Sequence, residues 1–249
     1  MPNLGKIAGR IREMKEKQTI DVLIPAWNEE KSLPLVLAAL PKAWVRQVLV
    51  CDNGSTDRTA EVAKAAGAIV ISQPKRGYGN ACLAGIRYLK NLTPSEQPAI
   101  VVFLDGDYSD YPEELPKVVA PILNDGKDMV IGSRRLGNMA PGAMTFPQRF
   151  GNWLAPFLIR LFLGYRFSDL GPFRAIRWKS LLAMDMQDKN FGWTVEMQVK
   201  AAKMRMNCAE VPVKYRKRAG GKSKVSGTIK GAFSAGVKII VTIFKFWLK

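Results

Sequence analysis

Short apolar runs recur along the chain, each closed by a polar or glycine-bearing stretch. Ile20-Asp21-Val22-Leu23-Ile24-Pro25, Val48-Leu49-Val50-Cys51, Ala68-Ile69-Val70-Ile71, Val101-Val102-Phe103-Leu104 and Met129-Val130-Ile131 read as strands buried on both faces. Helical patterns fill the gaps. One follows Ser32, a candidate cap, with Pro34 tolerated in its first turn. A second spans residues 58–66, capped by Ser55 or Thr56 and stopped by Gly67. A third runs from Gly77-Tyr78-Gly79-Asn80 through Lys90, and Pro112 opens a fourth. This alternation predicts an α/β fold with right-handed crossovers and a mainly parallel sheet flanked by helices.

The rhythm changes near residue 135. Residues 137–147, rich in Gly, Pro and Met, read as a mobile loop, followed by an apolar helix that Pro156 kinks or restarts. A short strand near residues 173–176 and a helix over about 194–206 come next. Ala209-Glu210-Val211-Pro212-Val213 reads as an edge strand, because Pro212 has no N–H for an inner ladder. The organisation expected is a basic leader (1–18), one domain (19–228) with halves 19–135 and 136–228, and an amphipathic tail (229–249).

Composition narrows the chemistry. Among 249 residues, 47% are hydrophobic, enough for a sizeable core. The 38 basic and 21 acidic residues give a formal charge of +17, which calls for an anionic partner. There is no histidine, so Ser-His-Asp triads, Cys-His dyads and histidine bases are excluded. Cys51, Cys82 and Cys208 lack metal or redox spacing, as buried thiols in a reducing cytoplasm would. Residues 1–17 lack the apolar core of a signal peptide, and no apolar run is long enough to predict a membrane span. Charge alone would also suit an RNA-binding module, but no RNP-type motif or aromatic-interleaved basic strand supports it, so no nucleic-acid partner is expected.

Three strands end in carboxylates: Glu29 and Glu30 after the first, Asp52 and Asp57 after the second, Asp105 and Asp107 after the fourth. In a parallel sheet all three loops open on one edge, where ligands of such sheets bind. Acids gathered there need a cation or a hydrogen-bonded ligand to be tolerated. Asp105-Gly106-Asp107 fits a divalent-metal site on a diphosphate; it also fits an ordinary strand-to-turn junction.

Ile24-Pro25-Ala26-Trp27-Asn28-Glu29-Glu30, Asp52-Asn53-Gly54-Ser55-Thr56-Asp57, Asp105-Gly106-Asp107 and Gly132-Ser133-Arg134 resemble the inverting family 2 glycosyltransferases of GT-A fold. The dolichyl-phosphate mannose synthase and polyprenyl-phosphate glycosyltransferase branch is the nearer likeness. It continues through Asp169-Leu170-Gly171-Pro172-Phe173-Arg174, Glu210-Val211-Pro212-Val213, Arg216 and Gly221-Lys222-Ser223-Lys224. The resemblance implies transfer of a hexose from a nucleotide-sugar, of GDP-mannose or UDP-glucose type, to a polyprenyl phosphate. Pro25, Ala26, Trp27, Glu29 and Gly106 would line the donor pocket, with Trp27 where relatives usually carry tyrosine. Asp52 would meet base or ribose, and Asp57 would buttress that loop. Asp105 and Asp107 would hold Mg²⁺ or Mn²⁺, with Asp107, Arg134 and Arg174 at the reacting groups. Arg149, Arg216, Lys222, Ser223 and Lys224 would take the acceptor phosphate, and Arg218 stands among the same basic residues suited to phosphate. In the mannose synthases a glutamine two residues after the second aspartate reaches the metal; here that position is Ser109, followed by Asp110, a second candidate ligand.

A phosphate acceptor is already ionised at neutral pH and needs no base. A soluble hydroxyl acceptor, the alternative, would need one, and Glu196 is the candidate; its other reading is an exposed helix glutamate. Trp153, Leu154, Phe157, Leu158, Leu161 and Phe162 recur on one helical face beside Arg149 and Arg160. The tail from Lys238 pairs a basic edge with an apolar remainder. Both stripes suit a peripheral position on the cytosolic face of a membrane, although such stripes also pack cores or oligomer contacts.

Overall fold

The computed structural model describes residues 19–220 and 240–245. The basic leader, Lys222, Ser223, Lys224 and most of the tail lie outside the described residues. Seven strands form one sheet: β1 (Ile20–Ala26), β2 (Gln47–Asp52), β3 (Ile69–Ser72), β4 (Ile100–Phe103), β5 (Met129–Ser133), β6 (Arg174–Arg177) and β7 (Cys208–Pro212). Their order is β3-β2-β1-β4-β6-β5-β7. Only β6 runs against the others, pairing antiparallel with both β4 and β5. β7 takes the edge beside β5, where Pro212 needs no ladder partner on its outer side.

Alternation along each strand builds two cores. Leu23, Leu49, Val101, Phe103 and Ile131 point to one face, under α3 (Tyr78–Lys90), α5 (Phe146–Leu163), α6 (Trp178–Met184) and α7 (Trp193–Lys203). Val22, Ile24, Val50, Val102 and Val130 point to the other, under α1 (Leu33–Ala39), α2 (Thr59–Ala65) and α4 (Leu115–Asn124). Helix α3 lies close on the sheet because of Gly85: a Cβ there would meet Leu23 Cδ1 at 2.4 Å and Cys51 Sγ at 2.8 Å. Cys51 and Cys82 are buried and free, and burial pushes the Cys51 thiol up to about 12.

Three local expectations, on Ser32, on Ser55 and Thr56, and on Pro156, are corrected. Ser32 occupies the cap position of α1 without capping it; its Oγ donates to Glu29 Oε2 at 2.6 Å. α2 starts after Arg58, and the Ser55 and Thr56 hydroxyls instead join the neighbouring loop. Pro156 sits inside a continuous α5, which is capped by a Thr145–Gln148 capping box. Segment 137–147 is pinned by backbone bonds from Ala140 N to Tyr215 O and from Tyr215 N to Asn138 O. Residues 240–245 are helical; Thr242 and Ile243 are buried, so this part of the tail packs on the domain. Among the described residues no helix is long and apolar enough to cross a membrane.

Candidate active site

The carboxyl ends of β1, β2 and β4 meet on one edge because these strands are parallel and in register, with Ala26 opposite Asp52 and Leu23 opposite Phe103. The first two loops are sewn together. Asn28, at φ 53°, turns the chain so that its N–H donates to Ser55 Oγ at 3.0 Å and its Oδ1 accepts from Thr56 N at 2.8 Å. Glu29 N donates to Thr59 Oγ1, and Glu30 N to Asp57 Oδ2. Asp57 also accepts from Thr59 N, so it braces the loop, and despite partial burial these bonds lower its pKa. Asp52 Oδ1 is taken up by Ser55 N at 3.2 Å, and Asp52 does not line the cavity described next.

A cavity of about 480 Å³ opens at this edge. Pro25, Ala26, Trp27, Glu29, Asp105, Gly106, Asp107 and Arg134 all line it. Asp105 is held by the Tyr78 hydroxyl at 2.9 Å; burial first, then the charge of Asp107, raises its pKa to about 7. Asp107 Oδ1 accepts from Ser109 N at 2.9 Å and Ser109 Oγ at 2.5 Å. Ser109 therefore fixes the rotamer of Asp107. Asp110 is buried with neither carboxylate oxygen hydrogen-bonded, and burial, then the Asp105 charge, pushes its pKa well up. A pair of hard-oxygen carboxylates facing a cavity, one resisting ionisation, fits a divalent cation. Among the described residues no three acids converge closely enough to hold an ion unaided. The remaining ligands would have to come from a bound phosphate or water.

Arg134 meets Asp169 through its backbone N at 2.7 Å, Nε at 2.8 Å and Nη2 at 2.7 Å. Burial opposes the charge of Arg134, but Asp169 overrides it and raises the guanidinium pKa; the same pairing lowers the pKa of Asp169 against its own burial. Arg174, expected at the reacting groups, is fully buried and does not itself line the cavity. It donates to the carbonyls of Leu170, Gly171 and Thr194, and burial lowers its pKa to about 10. A side chain so satisfied braces the turn before β6.

Glu196 likewise does not line the cavity. Its oxygens accept from Gln187 N at 2.9 Å and Asp188 N at 2.6 Å, and Lys200 pairs with it at 2.7 Å. It thus shapes the 187–191 loop, which in turn covers the start of α3. Gly79 N and Asn80 N donate to Asn190 O and Lys189 O. A Cβ on Gly79 would stand 1.9 Å from Asp188 O, so glycine is required there by close approach.

Arg216 lies between the Tyr108 and Tyr111 rings, 3.5 and 4.0 Å from their centroids, donating to Tyr108 O and Asp110 O. It grips the carboxylate loop, where Tyr108 holds φ 61°, and it does not line the cavity. Arg149 is exposed on α5 next to Gln148, a cavity residue.

The cavity also takes in Asn53, Arg76, Tyr78, Asn190, Phe191 and Tyr215, which sequence reasoning did not assign to the site, and Arg218, which it placed only among the basic residues suited to phosphate. Two had a signal available: Tyr78 sits in the glycine-flanked start of α3, and Arg218 ends the basic run after β7.

Residues 21–192 match the family model described as glycosyl transferase family 2. The chain is 38% identical over 228 residues to an uncharacterized glycosyltransferase of Mycobacterium tuberculosis, covering 92% of this chain and 96% of that one. It is 32% identical over 220 residues to the undecaprenyl-phosphate mannosyltransferase of Micrococcus luteus, covering 84% and 88%. Among solved structures it resembles glucosyl-3-phosphoglycerate synthase from Mycobacterium tuberculosis, crystallised with Mn²⁺ and uridine-diphosphate-glucose. The TM-score is 0.73 and the identity 25%, over 96% of this chain and 82% of that one. The fold is GT-A-like, as the resemblance implied, and the chain belongs to glycosyl transferase family 2.

Proposed function

We propose that this enzyme transfers a hexose, with inversion, from a nucleotide-sugar to a polyprenyl phosphate at a membrane surface. The donor half of the reading is supported by the cavity wall of Glu29, Asp105 and Asp107, and by a solved relative that binds Mn²⁺ with a nucleotide-sugar. Trp27 and Arg76, whose guanidinium stands 4.0 Å from the indole centroid, form a stacking platform suited to a nucleobase. Asp105 and Asp107 would hold Mg²⁺ or Mn²⁺. The bound ion would neutralise charge developing on the leaving diphosphate. Arg134, oriented by Asp169, presents its remaining N–H donors at the cavity for phosphate oxygens.

The observation that carries the acceptor is the outer face of α5. Phe146, Phe150, Trp153, Phe157 and Leu161 are all exposed, Phe146 by 81%. Their spacing of four, three, four and four keeps them on one ridge, about 22 Å long at 1.5 Å per residue. The ridge begins beside Gln148 at the cavity and is edged by exposed Arg149 and Arg160. Ile240, Val241 and Phe244 add exposed apolar surface next to it, through a Phe162–Phe244 contact of 5.1 Å between centroids. Apolar area this contiguous, rimmed with arginine and leading from a phosphate-suited cavity, fits a lipid whose phosphate enters the site. Arg149, with Lys222, Ser223 and Lys224, would receive that phosphate. A hydroxyl acceptor would need a base, and Glu196 is committed to backbone amides and Lys200.

The test is a turnover panel of GDP- and UDP-sugars with Mn²⁺, offering a short polyprenyl phosphate or phosphoglyceric acid. Sugar appearing on the polyprenyl phosphate is the expected result; transfer to phosphoglyceric acid alone would overturn the acceptor.

A further inference from the structure

Arg218 reaches back from the segment after β7 into the carboxylate cluster. Its Nη2 lies 2.9 Å from Glu29 Oε1 and 3.7 Å from Asp107 Oδ2, while Nε donates to Gly220 O at 2.8 Å. The backbone around it is laced to the same loop, with Arg216 N donating to Ser109 O and Ala219 N to Asp107 O. Among the described residues the cavity is lined by three carboxylates and three arginines. Arg134 is already balanced by Asp169, and Arg76 lies on Trp27. Arg218 is a cation that Glu29 and Asp107 share.

We propose that Arg218 is a stand-in cation, one that a divalent ion must displace from Asp107 before the donor is seated, and whose freed guanidinium then meets the donor diphosphate. The proposal rests on the nucleotide-sugar reading above. A guanidinium cannot lose its proton, so it leaves only by rotating away. Its hold on Asp107 is weak enough for that, at 3.7 Å with both side chains one-fifth exposed. A divalent ion among hard oxygens outbids a single, delocalised charge. The diphosphate offers the displaced fork the bidentate oxygens that arginine favours. Arg218 therefore acts against the metal in the empty site and with it in the loaded one.

Opposite signs make the test. Binding of Mn²⁺ to the full chain is followed by the loss of the free-ion electron paramagnetic resonance signal, first alone, then with UDP or GDP. Arg218→Met is expected to bind Mn²⁺ alone up to about fivefold tighter than wild type, the ceiling for a partly exposed ion pair. With nucleotide present, the same variant should bind the ion at least about fivefold more weakly. Arg218→Lys keeps the competing charge and should stay near wild type in the first measurement. Should Arg218→Met misfold by circular dichroism, Arg218→Gln carries the same two expectations. Weaker Mn²⁺ binding without nucleotide, or no change in either arm, overturns the proposal while leaving the donor reading standing. A wild-type protein that binds Mn²⁺ neither alone nor with either nucleotide removes the donor reading, and this proposal with it.

Discussion

Substituting Asp169→Asn separates what holds the site together from what it does. Asp169 is fully buried and accepts three bonds from Arg134. Asparagine keeps the shape but has one acceptor oxygen where the carboxylate has two. If that oxygen faces Arg134 N and Nε, the amide N–H group faces Nη2, donor against donor. The larger effect is charge: Arg134 stays ionised and buried with its counter-charge gone. Breaking such a pair costs about 3–5 kcal/mol, a large part of a typical total of about 5–15 kcal/mol. At about 2–4 °C per kcal/mol for a domain of this size, the melting temperature should fall by roughly 6–20 °C. Removing the stranded charge should restore part of it, so Arg134→Met/Asp169→Asn should melt above Asp169→Asn by several degrees and still transfer no sugar. The pH dependence has a definite sign. A lowered folded-state pKa for Asp169 means its contribution is present above the unfolded carboxylate value, about 3.9, and is lost as pH falls through the folded value. The gap between wild type and Asp169→Asn should hold from neutral pH to about 4 and shrink below that. Thermal melts by circular dichroism at several pH values read all of this. An Asp169→Asn protein within 2 °C of wild type (about 0.5–1 kcal/mol), or a double variant less stable than the single, would refute the buried-charge account.

Asp107→Asn should lower kcat by about a thousandfold or more, some 4 kcal/mol of transition-state stabilisation, with the melting temperature unchanged; near-normal wild-type turnover in excess chelator would remove the metal from the mechanism. The Asp105 pKa, raised to about 7, marks a carboxylate whose ionisation opposes folding as pH climbs from about 3.9 to 7. Metal-free Asp105→Asn should therefore melt higher than wild type at pH 8 and similarly at pH 4, and equal melts at pH 8 would contradict the burial argument. Trp153→Glu/Phe157→Glu, on exposed α5 positions, should leave the melting temperature nearly unchanged while weakening sedimentation with anionic liposomes and raising KM for a polyprenyl phosphate but not for the donor. Unchanged partitioning would count against the ridge. Gly79→Ala should fold poorly or melt far lower, because its Cβ has only 1.9 Å to Asp188 O; a normally stable variant would show that the 187–191 loop yields.

The parts legible in the sequence were those encoded by period and by strand ends. Four consecutive apolar residues before Asp105 required a strand covered on both faces, and parallel pairing then had to bring Glu29, Asp105 and Asp107 to one edge. The antiparallel entry of β6 between β4 and β5 carried no comparable signal, because Arg174-Ala175-Ile176-Arg177 looks the same in either direction. Charged residues were the harder class. Arg174, Glu196 and Arg216 are as polar as Arg134 and stand in motifs as recognisable, yet they spend their groups on backbone carbonyls and amides. Whether an arginine faces a ligand or a carbonyl depends on which neighbour reaches it first. That neighbour lies 108 residues away for Arg216, and 35 away for Arg134. Arg218 illustrates the converse. In sequence it is one more cation in a basic run, and only the 2.9 Å approach to Glu29, 189 residues earlier, sets it apart. Function in this site therefore turns on pairings between distant segments, while the scaffold that makes those pairings possible is written locally in alternating apolar runs.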